Sequence, residues 1–507
     1  MEYVPEDRFI NAILVILTIS LIIYASIRFQ NRTLSKRIPG PRGWPWIGSA
    51  FHLGLSSLHV KLSEMRKKYG DMFQITLFGK EILVVSSSSL CRELGQTEPY
   101  ATWTASRPHT FVSRVVLRNR TGIIFTPDYD SEYKKRRKIA YAVLRAYGQG
   151  LHRLENRIKE QLDYMICDIK KLSGKIVDPV SLVDDFIIGN VELLLIGKRC
   201  EKDSEMHRLL KTFDHAANVA GDQRHNAIYN MFPFLINFKS EFSTECHKVM
   251  DILQKLTSVL ESNLPNDNSC SDAMYPVLKK TIATGEIDES SASSLMGDMM
   301  AAGYLTTRGT LLSMIRILQC RKDVLQRMRD EIERLMGAKS GIPTLKDRPK
   351  FHYVEAFILE TLRYISHVPI TVRRNSERLS IRGYDIPKDT MMIINLWDIN
   401  HTDEDTPTSF DFNPDRFLDP EQRLLAANTP VRKRFAAFGH GKRSCVGENF
   451  ARSRIFLFIV TLVSKFSISD PYERNPQLFH PLEMSPGIAL QPPNFKCIFH
   501  PLDTKYE

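Results

Sequence analysis

Cysteine is scarce and scattered, eight residues in 507, with no CxxC pair and no regular spacing. That pattern excludes a disulfide framework and fits reduced thiols facing a cytosol. Zinc at Cys445 needs about three further ligands, yet the flanking cysteines in the sequence are Cys320 and Cys497, and His440 alone does not complete a set. Internal repeats, low-complexity runs and nucleic-acid-reading motifs are also missing. The net charge of +11 therefore points to anionic lipid or an acidic protein partner rather than to nucleic acid.

Charge of either sign is absent from Phe9 to Ile27, FINAILVILTISLIIYASI, a run of 19 residues. At ~1.5 Å per residue a helix of this length crosses a hydrocarbon core. It exceeds the usual apolar core of a cleaved signal, and no small-residue cleavage site clearly follows it. Arg28, Arg32, Lys36 and Arg37 follow the run, whereas Glu2, Glu6, Asp7 and one Arg8 precede it. The positive-inside rule then places the rest of the chain on the cytoplasmic side, behind a single-pass anchor. Next comes IPGPRGWPWIG, Ile38 to Gly48, whose three prolines and three glycines predict a stiff, extended connector.

What the chain does have is helix. YKKRRKIAYAVLRAYG, LLSMIRILQCRKDVLQRMRDEIERLMG and RIFLFIVTLVSKF repeat apolar residues at three and four, the spacing of one helix face. Met72 to Ser87 reads as a hairpin turning at Gly79-Lys80, and Leu379 to Leu396 as a second short sheet region. The expected fold class is mainly α with a small β region. The expected organisation is an anchor over residues 1–28, a basic and proline-rich linker over 29–48, and one body over 49–507.

Chemistry concentrates in FGHGKRSCVGENFARSR, Phe438 to Arg454. A helix is predicted from Glu448 to Phe466, so Cys445 lies just before a helix N-terminus, which favours a thiolate. Gly441 and Gly447 permit close approach of a flat ligand, and Arg443 can pair with a carboxylate. A planar, carboxylate-bearing, thiolate-ligated group is haem.

FGHGKRSCVG fits F-x-x-G-x-R-x-C-x-G, with Phe438, Gly441, Arg443, Cys445 and Gly447 at the fixed positions. It resembles the haem-binding loop of the cytochrome P450 family. Glu360 and Arg363 form the family's E-x-x-R, and Arg416 in FNPDRF resembles its third, architectural partner. DSEYKKRRKIA is similar to the family's W-x-x-x-R helix, with Tyr133 where tryptophan is usual and Arg137 in the propionate-binding position. After VPIT, the resemblance assigns the second propionate to Arg374, with Arg373 as competitor.

MMAAGYLTTRGTLL resembles the family's oxygen-binding helix, A-G-x-[D/E]-T-T, with Gly303, Thr306 and Thr307 as the catalytic candidates. Gly303 is expected to open space for dioxygen, and the threonine hydroxyls to order water and donate hydrogen bonds. Leu305 occupies the acid's position, and leucine cannot relay a proton.

Taken together, the resemblance implies a P450 fold, haem b with Cys445 as axial iron ligand, and a monooxygenase in the animal microsomal branch. It further implies an endoplasmic-reticulum membrane location and NADPH-derived electrons from cytochrome P450 reductase, with cytochrome b5 as a second candidate partner. Lys134, Lys135, Lys138, Arg432, Lys433, Arg434 and Lys442 are expected to face that acidic reductase. The segment before Arg137, Phe232, Phe234, the helix around Ala302, Val368 to Thr371 and Pro486 to Ile488 are expected to line a pocket for a lipophilic substrate. A peroxide isomerase or dehydratase needing no reductase, and a non-catalytic haem-binding membrane protein, remain open as alternatives.

Overall fold

The computed structural model describes residues 37–44, 47–53, 57–118, 122–147, 151–202, 204–264, 272–337, 343–402 and 410–502, with isolated Thr18. The expected anchor, Phe9 to Ile27, lies outside the described residues apart from Thr18. Among the described residues no helix is long and apolar enough to cross a membrane.

Nine helices of fourteen residues or more build the described body: α1 (Ser131–Tyr147), α2 (Leu151–Lys171), α3 (Pro179–Ile196), α4 (Glu205–Ala220), α5 (Glu241–Ser262), α6 (Glu289–Cys320), α7 (Lys322–Met336), α8 (His352–Ile365) and α9 (Glu448–Lys465). Helix α6 starts where the Asp288 carboxylate accepts the Ser291 N–H at 2.7 Å and runs for 32 residues through the interior. Helices α3, α4, α8 and α9 all pack on it. Both α3 and α8 are buried almost all round, as expected for helices wrapped by other helices. The long apolar pattern after Leu311 is two helices, not one. Arg321 leaves helical geometry between α6 and α7 and donates to the carbonyl of Phe412 at 2.7 Å.

Strands β1 (Met72–Leu77) and β2 (Lys80–Val85) form the expected hairpin, turning one residue earlier than predicted. Phe78 and Gly79 both have positive φ, the requirement of a two-residue turn that follows strand twist. The four-stranded order is β1-β2-β6-β3, with β3 at Ile370–Arg374 and β6 at Met391–Asn395. Strands β4 (Leu379–Ile381) and β5 (Tyr384–Ile386) pair as a separate hairpin, and β7 (Phe466–Ser469) and β8 (Ile498–Pro501) pair antiparallel as another two-stranded sheet. Phe466, predicted as the end of α9, already belongs to β7.

The proline-rich segment is clamped to this sheet. Gln74 donates its N–H to Pro39 at 2.8 Å, and Ser49 donates to Thr76. A Cβ at Gly40 would stand 1.9 Å from the Gln74 carbonyl oxygen, so only glycine lets the connector lie this close.

A buried ionic cluster joins α8 to the loop before α9. Glu360 accepts two bonds from Arg363, at 2.7 and 2.8 Å, and lies 3.5 Å from Arg416. It also accepts the Asn413 N–H at 2.9 Å, while Arg363 donates to the Asn400 carbonyl at 3.0 Å. Glu360 has no exposed surface, so its charge is held only by these partners. Their role is architectural, fixing the chain that leads to the cysteine loop.

Candidate haem-thiolate site

The cysteine loop is a tight return ahead of α9. Cys445 donates its N–H to the Phe438 carbonyl at 2.9 Å, Gly439 to Ala436 at 2.9 Å, and Ser444 to Gly441 at 3.0 Å. Gly441 has φ of +76°, and a Cβ there would stand 1.9 Å from the Gly95 carbonyl oxygen. A side chain at 441 would therefore push the loop off the short helix Ser88–Gln96 that carries Gly95. A Cβ at Gly447 would sit 4.0 Å from the Cys445 sulfur.

The Cys445 side chain has open surface, although protein atoms surround it closely enough that burial pushes its thiol up from the ordinary value. Both observations hold if it faces an internal space rather than bulk solvent. The Gly447 N–H, at the start of α9, and Arg137 oppose the upward shift, while Glu448 adds to it. The helix N-terminus thus acts in the expected direction, but burial outweighs it. A thiolate here needs a cation to bind, and no cluster of His, Cys, Asp or Glu among the described residues forms a metal site. A lone thiolate suits a metal whose other ligands come from a macrocycle.

Three guanidinium groups close enough to repel one another, among them Arg443 of this loop, lie without ion-paired acids among the described residues. Arg443 is buried and donates to four backbone carbonyls, those of Ala105 (2.7 Å), Ile123 (3.3 Å), Pro127 (3.4 Å) and Asp128 (3.1 Å). Among the described residues, Arg373 donates to Thr371 Oγ1 and the Val372 carbonyl, at 3.0 and 3.1 Å. Arg107 shares the same two acceptors, at 3.3 and 3.2 Å, and its buried Nε has no partner. Among the described residues, none of the three is ion-paired to a carboxylate.

Burial, and repulsion by the neighbouring guanidiniums, lower Arg107 well below its ordinary value and Arg373 to about 10. Such a cluster is costly unless anions meet it. Two propionates are anions of the right chemistry. Arg373 and His440 also line one cavity of ≈ 380 Å³, and buried His440 Nε2 has no partner. The residues present therefore fit haem.

The sequence expectations divide on this geometry. Arg137 donates to the Ser444 carbonyl at 2.7 Å, tying α1 to the residue before Cys445. Tyr133, in the usual tryptophan position, is fully buried with its ring centroid 3.7 Å from the Arg443 guanidinium. Arg374 does not agree with its assignment to a propionate. Strand alternation sends it to Asp128, at 2.5 Å, and to Asp389, and leaves Arg373 on the inner side. Arg107 was missed; its only signal was a charged residue before Pro108, which no spacing rule singles out.

On α6, Thr306 donates to the Ala302 carbonyl at 2.8 Å, and both residues keep accessible surface within the fold. A Cβ at Gly303 would meet Val191 of α3 at 3.6 Å, an ordinary contact. Thr307 is buried, and its hydroxyl accepts from Arg454, so it faces α9 rather than the open side of α6. Leu305 lines a second cavity, of ≈ 710 Å³ and open in part to solvent, with Ala301, Phe125, Phe213 and Ile488. Phe232 and Phe234, expected in that wall, are instead 44% and 57% exposed.

A cytochrome P450 family model matches residues 38–499. The chain is 27% identical to cytochrome P450 1A1 of Platichthys flesus, over 96% of this chain and 94% of that protein. It is 27% identical to cytochrome P450 1A2 of Mesocricetus auratus over 93% of each, and 27% identical to cytochrome P450 1A2 of Rattus norvegicus over 90% of each.

Proposed function

The chain belongs to the cytochrome P450 family, and from that premise we propose that it is a membrane-anchored enzyme inserting one oxygen atom of O2 into a lipophilic substrate, with NADPH electrons delivered by an acidic flavoprotein reductase. The family's chemistry is haem-thiolate monooxygenation, with haem b held by a cysteine thiolate. The observation that carries the reading for this chain is the unpaired set Arg107, Arg373 and Arg443 beside the Cys445 loop.

In this reading Cys445 is the iron ligand, with Phe438, Gly441 and Gly447 shaping its loop, and Arg443, Arg373 and Arg107 hold the propionates. When bound, haem supplies the iron that activates dioxygen. Arg137 positions the thiolate loop through the Ser444 carbonyl. Thr306 orders water on the open side of α6, its hydroxyl already fixed by Ala302, and hands a proton toward the reacting oxygen. Leu305 excludes water from the cavity wall and moves no proton. The apolar cavity takes a substrate arriving from the membrane. Exposed Trp44 and Phe51, together with Phe232, Phe234 and Phe238, offer apolar surface for lipid.

Leu305 in the acid's position favours one second reading, a peroxide isomerase or dehydratase, which needs neither reductase nor proton delivery. Reductase-supported NADPH and oxygen consumption over a lipophilic substrate panel, with product analysis, separates them. Product containing one atom from O2 is expected. Rearranged peroxide without NADPH would replace the monooxygenase by the isomerase, and spectral binding without any product would leave a ligand carrier.

A further inference from the structure

We propose that His367 is a positioning residue for Thr306: its imidazole braces the turn of α6 that carries the threonine by donating to the Leu305 carbonyl, in space that Gly309 leaves free. This deepens the oxygenase reading and rests on it for the role of Thr306. His367 Nε2 lies 3.3 Å from the Leu305 carbonyl oxygen. A carbonyl only accepts, so Nε2 carries the ring proton and Nδ1 is bare. Burial lowers His367 to about 4, so at neutral pH the imidazole is an uncharged single donor.

Glycine makes the room for the ring. A Cβ at Gly309 would stand 2.2 Å from His367 Cε1, 3.0 Å from its Nδ1 and 3.0 Å from Gln491 Oε1, so a side chain there would push the imidazole off the helix. The chain around the ring is pinned on both sides. Ser366 leaves α8 with φ of +39°, and its hydroxyl accepts from Asn400 at 3.0 Å. The His367 carbonyl accepts the Leu490 N–H at 2.8 Å. Gln491 Oε1 accepts from Arg308 of α6 at 3.2 Å, and Arg308 donates to Asp184 of α3 at 2.7 Å.

Elsewhere on α6 polar side chains act outward, as where Asp298 accepts the Ile123 and Ile124 N–H groups and holds that segment. Around Thr306 they act on the helix backbone itself. The Ala302 carbonyl accepts from Thr306 Oγ1, that of Gly303 from Arg454, that of Leu305 from His367, and that of Thr306 from Thr310 Oγ1 at 2.8 Å. A ladder carbonyl that takes a second donor holds its own N–H less tightly, so side chains set the shape of this turn. Three of the four donors belong to α6 or α9, and His367 comes from the segment between α8 and β3. With leucine at 305 and Thr307 turned to α9, Thr306 is the hydroxyl left to order water. A displacement of about 0.5 Å at such a group is felt in the reaction.

His367→Phe keeps a ring and removes the donor, whereas His367→Gln removes the ring and puts an amide N–H where Nε2 stands. In the holoenzyme with NADPH and reductase, the Phe variant is expected to lower the ratio of product formed to NADPH consumed by about two- to tenfold, the range of one hydrogen bond. KM should stay unchanged, because His367 does not line the ≈ 710 Å³ cavity. The infrared stretch of carbon monoxide on the reduced haem senses dipoles near Thr306 and should shift in the Phe variant. Gln should restore both readouts. Should His367→Phe not fold, Gly309→Ala, which favours helix and displaces the imidazole without changing it, must give the same two changes.

Asp214 of α4 lies 3.7 Å from Arg308, and burial raises it to about 7. His367 does not titrate there, so the gap between wild type and the Phe variant should be equal at about pH 6.5 and about pH 8. A gap that varies would move the effect to Asp184, Arg308 and Asp214 and overturn the proposal. Either readout unchanged in a folded Phe variant, or no recovery with Gln, also overturns it and leaves His367 as packing. The oxygenase reading fails separately, by a thiolate-haem spectrum without NADPH-dependent product, and the carbon monoxide stretch then still decides the role of His367.

Discussion

Arg454 of α9 donates to the hydroxyl of Thr307 and, at 2.9 Å, to the carbonyl of Gly303, both on α6. Its side chain is 1% exposed, and among the described residues its Nε and Nη1 have no partner and no carboxylate pairs with it. Burial lowers it to about 10. Its guanidinium lies 4.9 Å from the Phe450 ring centroid, a weak substitute for an anion. An uncompensated buried charge costs more than two hydrogen bonds return. Arg454→Met, of similar length and apolar, is therefore expected to stabilise the holoprotein by ~1–3 kcal/mol in urea unfolding. A loss of stability would mean that the bonds to Gly303 and Thr307 outweigh the burial of charge.

Buried histidines make a second, pH-dependent contribution. The His59 ring centroid lies 4.6 Å from that of Trp397, the planes tilted by 51°, and His367 Nε2 lies 3.3 Å from the Leu305 carbonyl oxygen. Burial lowers both from 6.5 to about 4. Between these values the unfolded chain binds protons that the folded chain refuses, so stability is full above about pH 6.5 and falls as pH drops toward 4. Burial raises Glu192 and Asp214 to about 7 and Asp298 to about 6, which acts in the opposite sense over the same window, so the histidine contribution is read by difference in urea unfolding. His59→Phe should lose less stability than the wild type as pH drops, and an unchanged slope would remove His59 from the account.

The parts legible in the sequence were those in which chemistry and local geometry share one short segment. Cys445, Phe438, Gly441 and Gly447 fall within ten residues, and a hairpin-like loop follows from their order. Glu360 and Arg363 pair across one helical turn, so three-residue spacing was enough. Arg373 and Arg374 were not separable, because which of two adjacent strand residues points inward depends on the register of β3 against β6. Thr306 and Thr307 raise the same problem on a helix, where one step turns a side chain by about 100°, and only the position of α9 decides which is buried. Asp298 and Arg454 each stand as a single charge beside an apolar run, MGDMMAAG and SRIFLFIV. That signal was present, but its meaning depended on the facing elements.

The basic face around the cysteine loop is unevenly available. Lys134, Lys138 and Lys433 are exposed, whereas Lys442 is ion-paired with Glu98 at 2.5 Å and Arg432 donates to the Leu425 carbonyl at 3.0 Å. Because Arg137 joins α1 to Ser444, Lys134 and Lys138 lie on the helix that abuts the thiolate loop. The double variant Lys134→Glu, Lys138→Glu is expected to slow reduction by an acidic reductase roughly tenfold at low ionic strength, with the difference shrinking at high salt. Stopped-flow reduction at two salt concentrations checks this. Equal slowing at both would assign the lysines to folding instead.

Leu305 remains the departure with the most direct chemical consequence. Its side chain is 4% exposed and lines the cavity beside α6, one residue before Thr306, so in the proposed oxygenase α6 offers a hydroxyl but no acid beside it to replenish a proton. His367 does not supply one, since burial keeps it neutral near pH 7 and its Nε2 meets the Leu305 carbonyl. Electrons delivered faster than protons are lost as reduced oxygen instead of appearing in product. Leu305→Glu should therefore raise the ratio of product formed to NADPH consumed, by about two- to tenfold if proton delivery limits the wild type. The rate of NADPH oxidation without substrate should not rise in parallel. An unchanged ratio in a correctly folded variant would place proton delivery elsewhere, with Thr306 and water sufficient by themselves.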